Sequence, residues 1–114
     1  MSAITTHVLD TAQGQPASGV PVLLEIRGQD GTWSGLGRGS TDADGRLRDL
    51  LPAGQALEAG SYRLAFDTGA YFRAHGVEGF YAEVAIAFEI RDPAQHYHVP
   101  LLLSPYGYST YRGS

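Results

Sequence analysis

The stretch His96-Tyr97-His98-Val99-Pro100-Leu101-Leu102-Leu103-Ser104 decides how this chain is read. Side chains of a strand alternate between two faces. An extended conformation therefore puts Val99, Leu101 and Leu103 on one side and His96, His98, Pro100, Leu102 and Ser104 on the other. The aliphatic side belongs in a core, and His98 then projects away from it, toward solvent or another subunit. The same two-residue period recurs in Tyr62-Arg63-Leu64-Ala65-Phe66, where Tyr62, Leu64 and Phe66 form the apolar side.

Working outward, strand-like segments bounded by turn chemistry fill most of the sequence, and the expected class is all-β. Ile4–Asp10 is closed by Gln13-Gly14-Gln15-Pro16, and Val20–Arg27 is followed by a turn at Gly28–Gly31. A third strand carries Trp33. After the glycine-rich Gly35–Gly39, the turn Asp42-Ala43-Asp44-Gly45 delivers a short edge strand at Arg46-Leu47-Arg48. Gly69–Gly79 has room for a helical turn or two. Tyr81–Ile90, the histidine-bearing segment and Tyr106–Arg112 complete the set. Eight short strands in a chain of 114 residues imply a two-layer sandwich forming a single domain over residues 1–114.

Composition narrows the function. Hydrophobic residues make up 43% and charged residues 18%, as in a packed globular protein. The net charge is -4, and the 8 lysines and arginines form no run, so the electrostatic footprint of a nucleic-acid binder is missing. There is no cysteine, which removes disulfides, thiolate metal sites and a cysteine nucleophile. No apolar run approaches the ~20 residues of a membrane helix, and Met1–His7 has neither the basic region nor the apolar core of a signal peptide. A cytoplasmic protein is expected, bacterial rather than peroxisomal, since Tyr111-Arg112-Gly113-Ser114 is not a peroxisomal address.

Strand parity also sorts the candidate site residues. In the first strand Ile4 and Val8 point inward and Thr5, His7 and Leu9 outward. In the last strand Tyr106 and Tyr108 suit the core, which leaves Gly107, Ser109, Tyr111 and Gly113 on a mostly small opposite face with room for a ligand or close backbone approach. His96 and His98 form a His-x-His pair, a spacing also used by metal ligands, but no cysteine exists and no carboxylate is close in sequence to complete a site. His75 reads as structural, and Arg46 by itself as a solvated turn charge. Spacing alone does not make an enzyme of this chain.

Two longer stretches change that reading. Thr6-His7-Val8-Leu9-Asp10-Thr11-Ala12-Gln13-Gly14-Gln15-Pro16-Ala17 and the segment from His98 to Ser114, ending Ser109-Thr110-Tyr111-Arg112-Gly113-Ser114, resemble the two signatures of the 5-hydroxyisourate hydrolases, also called transthyretin-related proteins. Asp44-Gly45-Arg46 and Glu83-Val84-Ala85-Ile86-Ala87-Phe88 agree as well, so the resemblance covers essentially the whole chain. The terminal Tyr-Arg-Gly-Ser is the specific part, because hormone-carrying transthyretins share the fold without that ending. Ala82 departs from the proline the family often has there.

The resemblance implies a transthyretin-like, eight-stranded two-sheet sandwich with one short helix. It further implies a homotetramer with active sites at the subunit interface and hydrolysis of the lactam ring of 5-hydroxyisourate in urate breakdown. No metal and no cofactor is implied. Carried over residue by residue, the family site falls on His7, Arg46 and His98 as catalytic groups, with His7, Arg46, Tyr111 and Ser114 binding substrate. Arg48 lies near but does not occupy the Asp-Gly-Arg position. A small-ligand carrier and a structural module are the alternatives from other classes, since fold never fixes function.

Overall fold

A computed structural model describes residues 3–114. Among them nine strands and one helix follow in the order β1 (Ile4–Asp10), β2 (Gln15–Pro16), β3 (Pro21–Arg27), β4 (Trp33–Ser40), β5 (Arg46–Leu47), β6 (Gly60–Phe66), α1 (Thr68–Ala74), β7 (Val84–Ile90), β8 (Tyr97–Ser104) and β9 (Gly107–Thr110). They build two sheets. One runs β2-β1-β8-β9, with β5 also paired to β1, and the other runs β4-β3-β6-β7. The chain is all-β, as expected, with one more strand than the eight read from sequence. The addition is β2, two residues that fold back on β1 after the turn at Asp10–Gly14.

The alternation at Val99, Leu101 and Leu103 places all three in the core between the sheets, where they meet Ile4 and Val8 of β1 and Leu24, Tyr62, Leu64 and Phe66 of the facing sheet. Each fully buried large apolar side chain contributes roughly 1.5–3 kcal/mol by leaving water, so the parity of β8 is strongly held. A one-residue slip would bury His98 and expose Val99, Leu101 and Leu103. Strands β1 and β8 pair in parallel, Thr5 opposite His98 and His7 opposite Pro100, although about ninety residues of chain separate them. The other strand pairs are antiparallel.

Glycine in β4 serves packing rather than a turn. A Cβ on Gly37 would lie 1.8 Å from the Leu50 carbonyl oxygen, so the bare backbone there lets the Leu50 segment cross the strand and bury its side chain. Helix α1 starts where Asp67 accepts a hydrogen bond from the Ala70 N–H at 3.0 Å, a standard N-cap. It is tied to β1 by Tyr71, whose buried hydroxyl donates to Asp10 Oδ2 at 2.8 Å. Burial first, then the bond to Asp10 and its charge, push the Tyr71 phenol well above the ordinary tyrosine range.

Three sequence expectations need correction. The strand expected from Tyr81 begins at Val84, because the carbonyls of Tyr81 and Ala82 accept from Thr68 Oγ1 and the Gly69 N–H and so cover the start of α1 instead of extending a ladder. The last strand ends at Thr110 rather than Arg112, with an isolated bridge between Gly113 and His98 beyond it. Tyr106 and Tyr108, expected in the core, are 71% and 43% exposed. Tyr108 pairs with the buried Leu103 and so has the inward parity. But β9 is the edge of its sheet, where the facing sheet no longer covers it, and the ring rests edge-on against Tyr81 at 5.3 Å.

Candidate active site

The turn Asp42-Ala43-Asp44-Gly45 sets the geometry. Asp42 Oδ1 accepts from the N–H groups of Asp44 (2.9 Å) and Arg46 (3.0 Å), and these bonds, the Arg46 one first, hold its carboxyl below the usual range. Gly45 adopts φ +74°, and a Cβ there would sit 2.4 Å from the Val8 carbonyl oxygen. Glycine is thus required twice over, for the backbone conformation and for the close approach. The Gly45 carbonyl accepts from the Val8 N–H at 2.7 Å, which docks the turn on β1 and sets Arg46 directly across from His7.

On the other side of β1 the parallel register sets Thr5 beside His98 and His7 beside Pro100. The three strands therefore present Thr5, His7, Arg46 and His98 on the sheet face away from the core. A cleft of about 170 Å³ opens there, lined chiefly by Thr5, Arg46, Arg48, His96, His98 and Ser114. A larger groove of about 560 Å³, lined in part by Pro21, Leu23, Arg38, Asp67 and Glu83, holds no histidine and lies against the second sheet.

Thr5 is only 5% exposed, although its parity points off the core, because it is wedged between two imidazoles. Its Oγ1 lies 2.8 Å from His98 Nδ1 and 3.1 Å from His96 Nε2. The His98 pKa is lowered, first by burial and then by the nearby charges of Arg46, His7 and His96. Its neutral form is correspondingly favoured near neutrality, as a base requires. Arg46 and Arg48 make the cleft a place that favours developing negative charge. The described residues include no group of three or more His, Cys, Asp or Glu arranged to hold a metal ion.

The C-terminal segment folds against this site. The Gly113 N–H donates to the His98 carbonyl at 2.8 Å. The Arg112 guanidinium lies 4.5 Å over the Tyr97 ring and donates to Gln95 Oε1 at 2.9 Å, which brings Ser114 to the cleft. Of the residues singled out in the sequence, Arg46, His98 and Ser114 line the cleft. His7 stands beside it across from Arg46. Tyr111 is 58% exposed and does not line it.

Four lining residues, Thr5, Thr6, Arg48 and His96, were not assigned to the site from sequence. Arg48 shares the parity of Arg46, and Thr5 that of His7, so alternation was the signal for both. His96 was visible as one half of the His-x-His pair. What could not be read was the parallel pairing that sets Thr5 between the histidines.

Comparison with known proteins agrees with this architecture along nearly the whole chain, since residues 4–113 match the transthyretin profile described as the HIUase/Transthyretin family. The chain belongs to that family. It is 50% identical over 119 residues to the 5-hydroxyisourate hydrolase of Caulobacter vibrioides, covering 100% of both chains. The solved 5-hydroxyisourate hydrolase of Klebsiella pneumoniae superimposes with a TM-score of 0.85 at 40% identity, again over 100% of both chains. Sea bream transthyretin, solved in complex with thyroxine, gives a TM-score of 0.90 at 34% identity, covering 97% of this chain and 94% of that one. Shape alone thus does not separate the hydrolases of the HIUase/Transthyretin family from its hormone-binding members, whereas sequence identity is higher toward the hydrolases.

Proposed function

We propose that this protein is a 5-hydroxyisourate hydrolase acting in urate breakdown. The observation that carries the reading is the convergence of His98, His7 and Arg46 on one face of three paired strands, in a chain half identical to the Caulobacter vibrioides hydrolase. Water attacks the lactam carbonyl carbon, the ring C–N bond breaks, and the departing nitrogen takes a proton. Neutral His98, with His7, removes the proton from the attacking water. Arg46 stays protonated, and its planar fork of donors meets the carbonyl oxygen as negative charge builds on it. Ser114 completes substrate binding in the cleft, Tyr111, exposed outside the cleft of its own chain, binds substrate across a subunit interface, and no metal or cofactor takes part.

A hormone carrier would line its site to match an apolar aromatic ligand. Two arginines and paired histidines around about 170 Å³ suit a small polar ring better. We further read the protein as a homotetramer with its sites at subunit interfaces. The exposed aromatics Phe80, Tyr106 and Tyr108 and the unpaired outer edges of β7 and β9 support this. The compartment we propose is a bacterial cytoplasm, in keeping with the bacterial source of the relatives above. No helix among the described residues is long and apolar enough to cross a membrane.

The test is turnover of freshly generated 5-hydroxyisourate followed by ultraviolet absorbance against its spontaneous decay, with light scattering to give the assembly. Decay no faster than in buffer would overturn the enzymatic reading.

A further inference from the structure

The Thr5 hydroxyl touches two imidazoles and owns one proton. With one donor and two lone pairs, it donates to at most one ring nitrogen. If both rings donated to it, its own proton would have to leave the pair, so two arrangements keep that proton between the rings. In the first, His98 Nδ1–H donates to Thr5 Oγ1 and the Thr5 hydroxyl donates to His96 Nε2, so His98 keeps its lone pair on Nε2. In the second every proton is reversed, and His98 carries its hydrogen on Nε2. Thr5 is buried and β-branched, so its side chain has few rotamers in which to escape this choice. His98 is partly buried beside Arg46, whereas His96 is exposed.

We propose that Thr5 is a positioning and proton-relay residue that couples His98 to His96. The proposal rests on the reading of His98 as the base. As the water oxygen bonds to the carbonyl carbon, its proton passes to His98 Nε2. His98 gives up its Nδ1 proton to Thr5 Oγ1, and the proton that Thr5 held passes to His96 Nε2. The positive charge then rests on His96 at the surface instead of on His98. When the ring C–N bond breaks, His98 Nε2 protonates the leaving nitrogen and the two other transfers run backward. His96 thereby returns its proton and all three groups regain their first arrangement. Protons balance over the cycle, and no outside acid or base is consumed.

The charge has a reason to move. Burial, Arg46 and His7 all disfavour a cation on His98. Arg48 lines the cleft beside both rings, and Arg112 donates to the His96 carbonyl at 3.4 Å, so these two arginines do not favour a charge on His96. Exposure does: His96 is the exposed ring of the pair, and solvent screens a charge there better than on the part-buried His98.

Thr5→Val keeps the shape and removes the hydroxyl, Thr5→Ser keeps the hydroxyl, and His96→Gln keeps an acceptor for Thr5 that cannot take up a proton. Thr5→Val is expected to lower kcat by about 10- to 100-fold, the range typical of removing a group that orients a functional histidine, with KM within about threefold. Thr5→Ser should restore kcat to near the parent value. His96→Gln should be as slow as Thr5→Val, and the double variant no slower than either.

Nitrogen NMR of the His98 ring, read without substrate, should show Nδ1 protonated in the parent and a shift toward Nε2 protonation in Thr5→Val. A Thr5→Val enzyme as fast as an active parent, or a parent whose resting His98 carries its proton on Nε2, overturns the proposal. A slow Thr5→Val beside a parent-like His96→Gln overturns the relay. Should Thr5→Val fail to fold, Thr5→Ser, His96→Gln and the parent ring spectrum still decide. A parent without hydrolase activity would sink the functional reading instead, and the NMR result would stand apart from it.

Discussion

Replacing Gly113 by alanine adds one methyl group at a point where the structure has no room for it. The added Cβ would lie 2.6 Å from His98 Cδ2 and 3.3 Å from both His98 Cγ and Pro100 Cγ, against 3.4 Å or more for ordinary contact. The nearest contact is about 0.8 Å short. One route of relief is to tilt the His98 ring, which stretches its 2.8 Å bond to Thr5. The other is to swing the terminus away, which breaks the 2.8 Å bond from the Gly113 N–H to the His98 carbonyl and withdraws Ser114 from the cleft. Either route misplaces a site group by nearly 1 Å, a displacement that costs on the order of 10²-fold in rate, or about 2.7 kcal/mol of barrier.

Folding should hardly notice, since the segment lies outside the core and the bonds at risk contribute roughly 1 kcal/mol each. Gly107→Ala is the control in the neighbouring strand, because its Cβ would meet only Ser104 Oγ, at an ordinary 3.7 Å. The assay is kcat/KM for 5-hydroxyisourate by ultraviolet absorbance, with thermal melting by circular dichroism. If Gly113→Ala stays within about threefold of the parent, the terminus does not position His98. This tests the role more finely than deleting Tyr111–Ser114, which also removes Ser114 and should abolish most activity.

Arg46→Lys keeps the charge but loses the planar donor fork, so a large fall in turnover is expected from the same assay. Arg48 also lines the cleft, and Arg48→Lys, silent if the residue were merely solvated, should instead cost a smaller, measurable part of the rate. Because the His98 pKa is lowered, the acid limb of kcat/KM should have its midpoint below the ordinary ≈ 6.5, and the stabilising contribution of neutral His98 should be complete above that pH and fade as pH falls. Arg46→Gln should move the His98 titration, followed by NMR, upward; an unmoved titration would remove Arg46 from its surroundings. A chelator should leave turnover unchanged, and its loss would bring back a metal at the His-x-His pair. Tyr71→Phe leaves Asp10 Oδ2 without its buried donor and should destabilise the fold by about 1–3 kcal/mol in denaturant titration, without slowing turnover.

Local chemistry made much of this molecule legible before any coordinates. Alternation in β8 and β6 assigned the core, Asp-Gly placed the turn before Arg46, and the two terminal signatures pointed to the family. Each of these is written in neighbouring residues, where the period of a strand or the φ of a glycine leaves little choice. Three things were decided only by the fold. The parallel pairing of β1 with β8 joins segments from opposite ends of the chain, and no local pattern specifies which strands become neighbours or in what register. That register, with Thr5 opposite His98, turned an outward threonine into a buried bridge between two histidines. The edge position of β9 left Tyr108 exposed, and Tyr106 fell in the turn before that strand, although parity suited both to the core. Alternation says which way a side chain points, but burial depends on whether another layer covers that side, and only the tertiary structure supplies the layer.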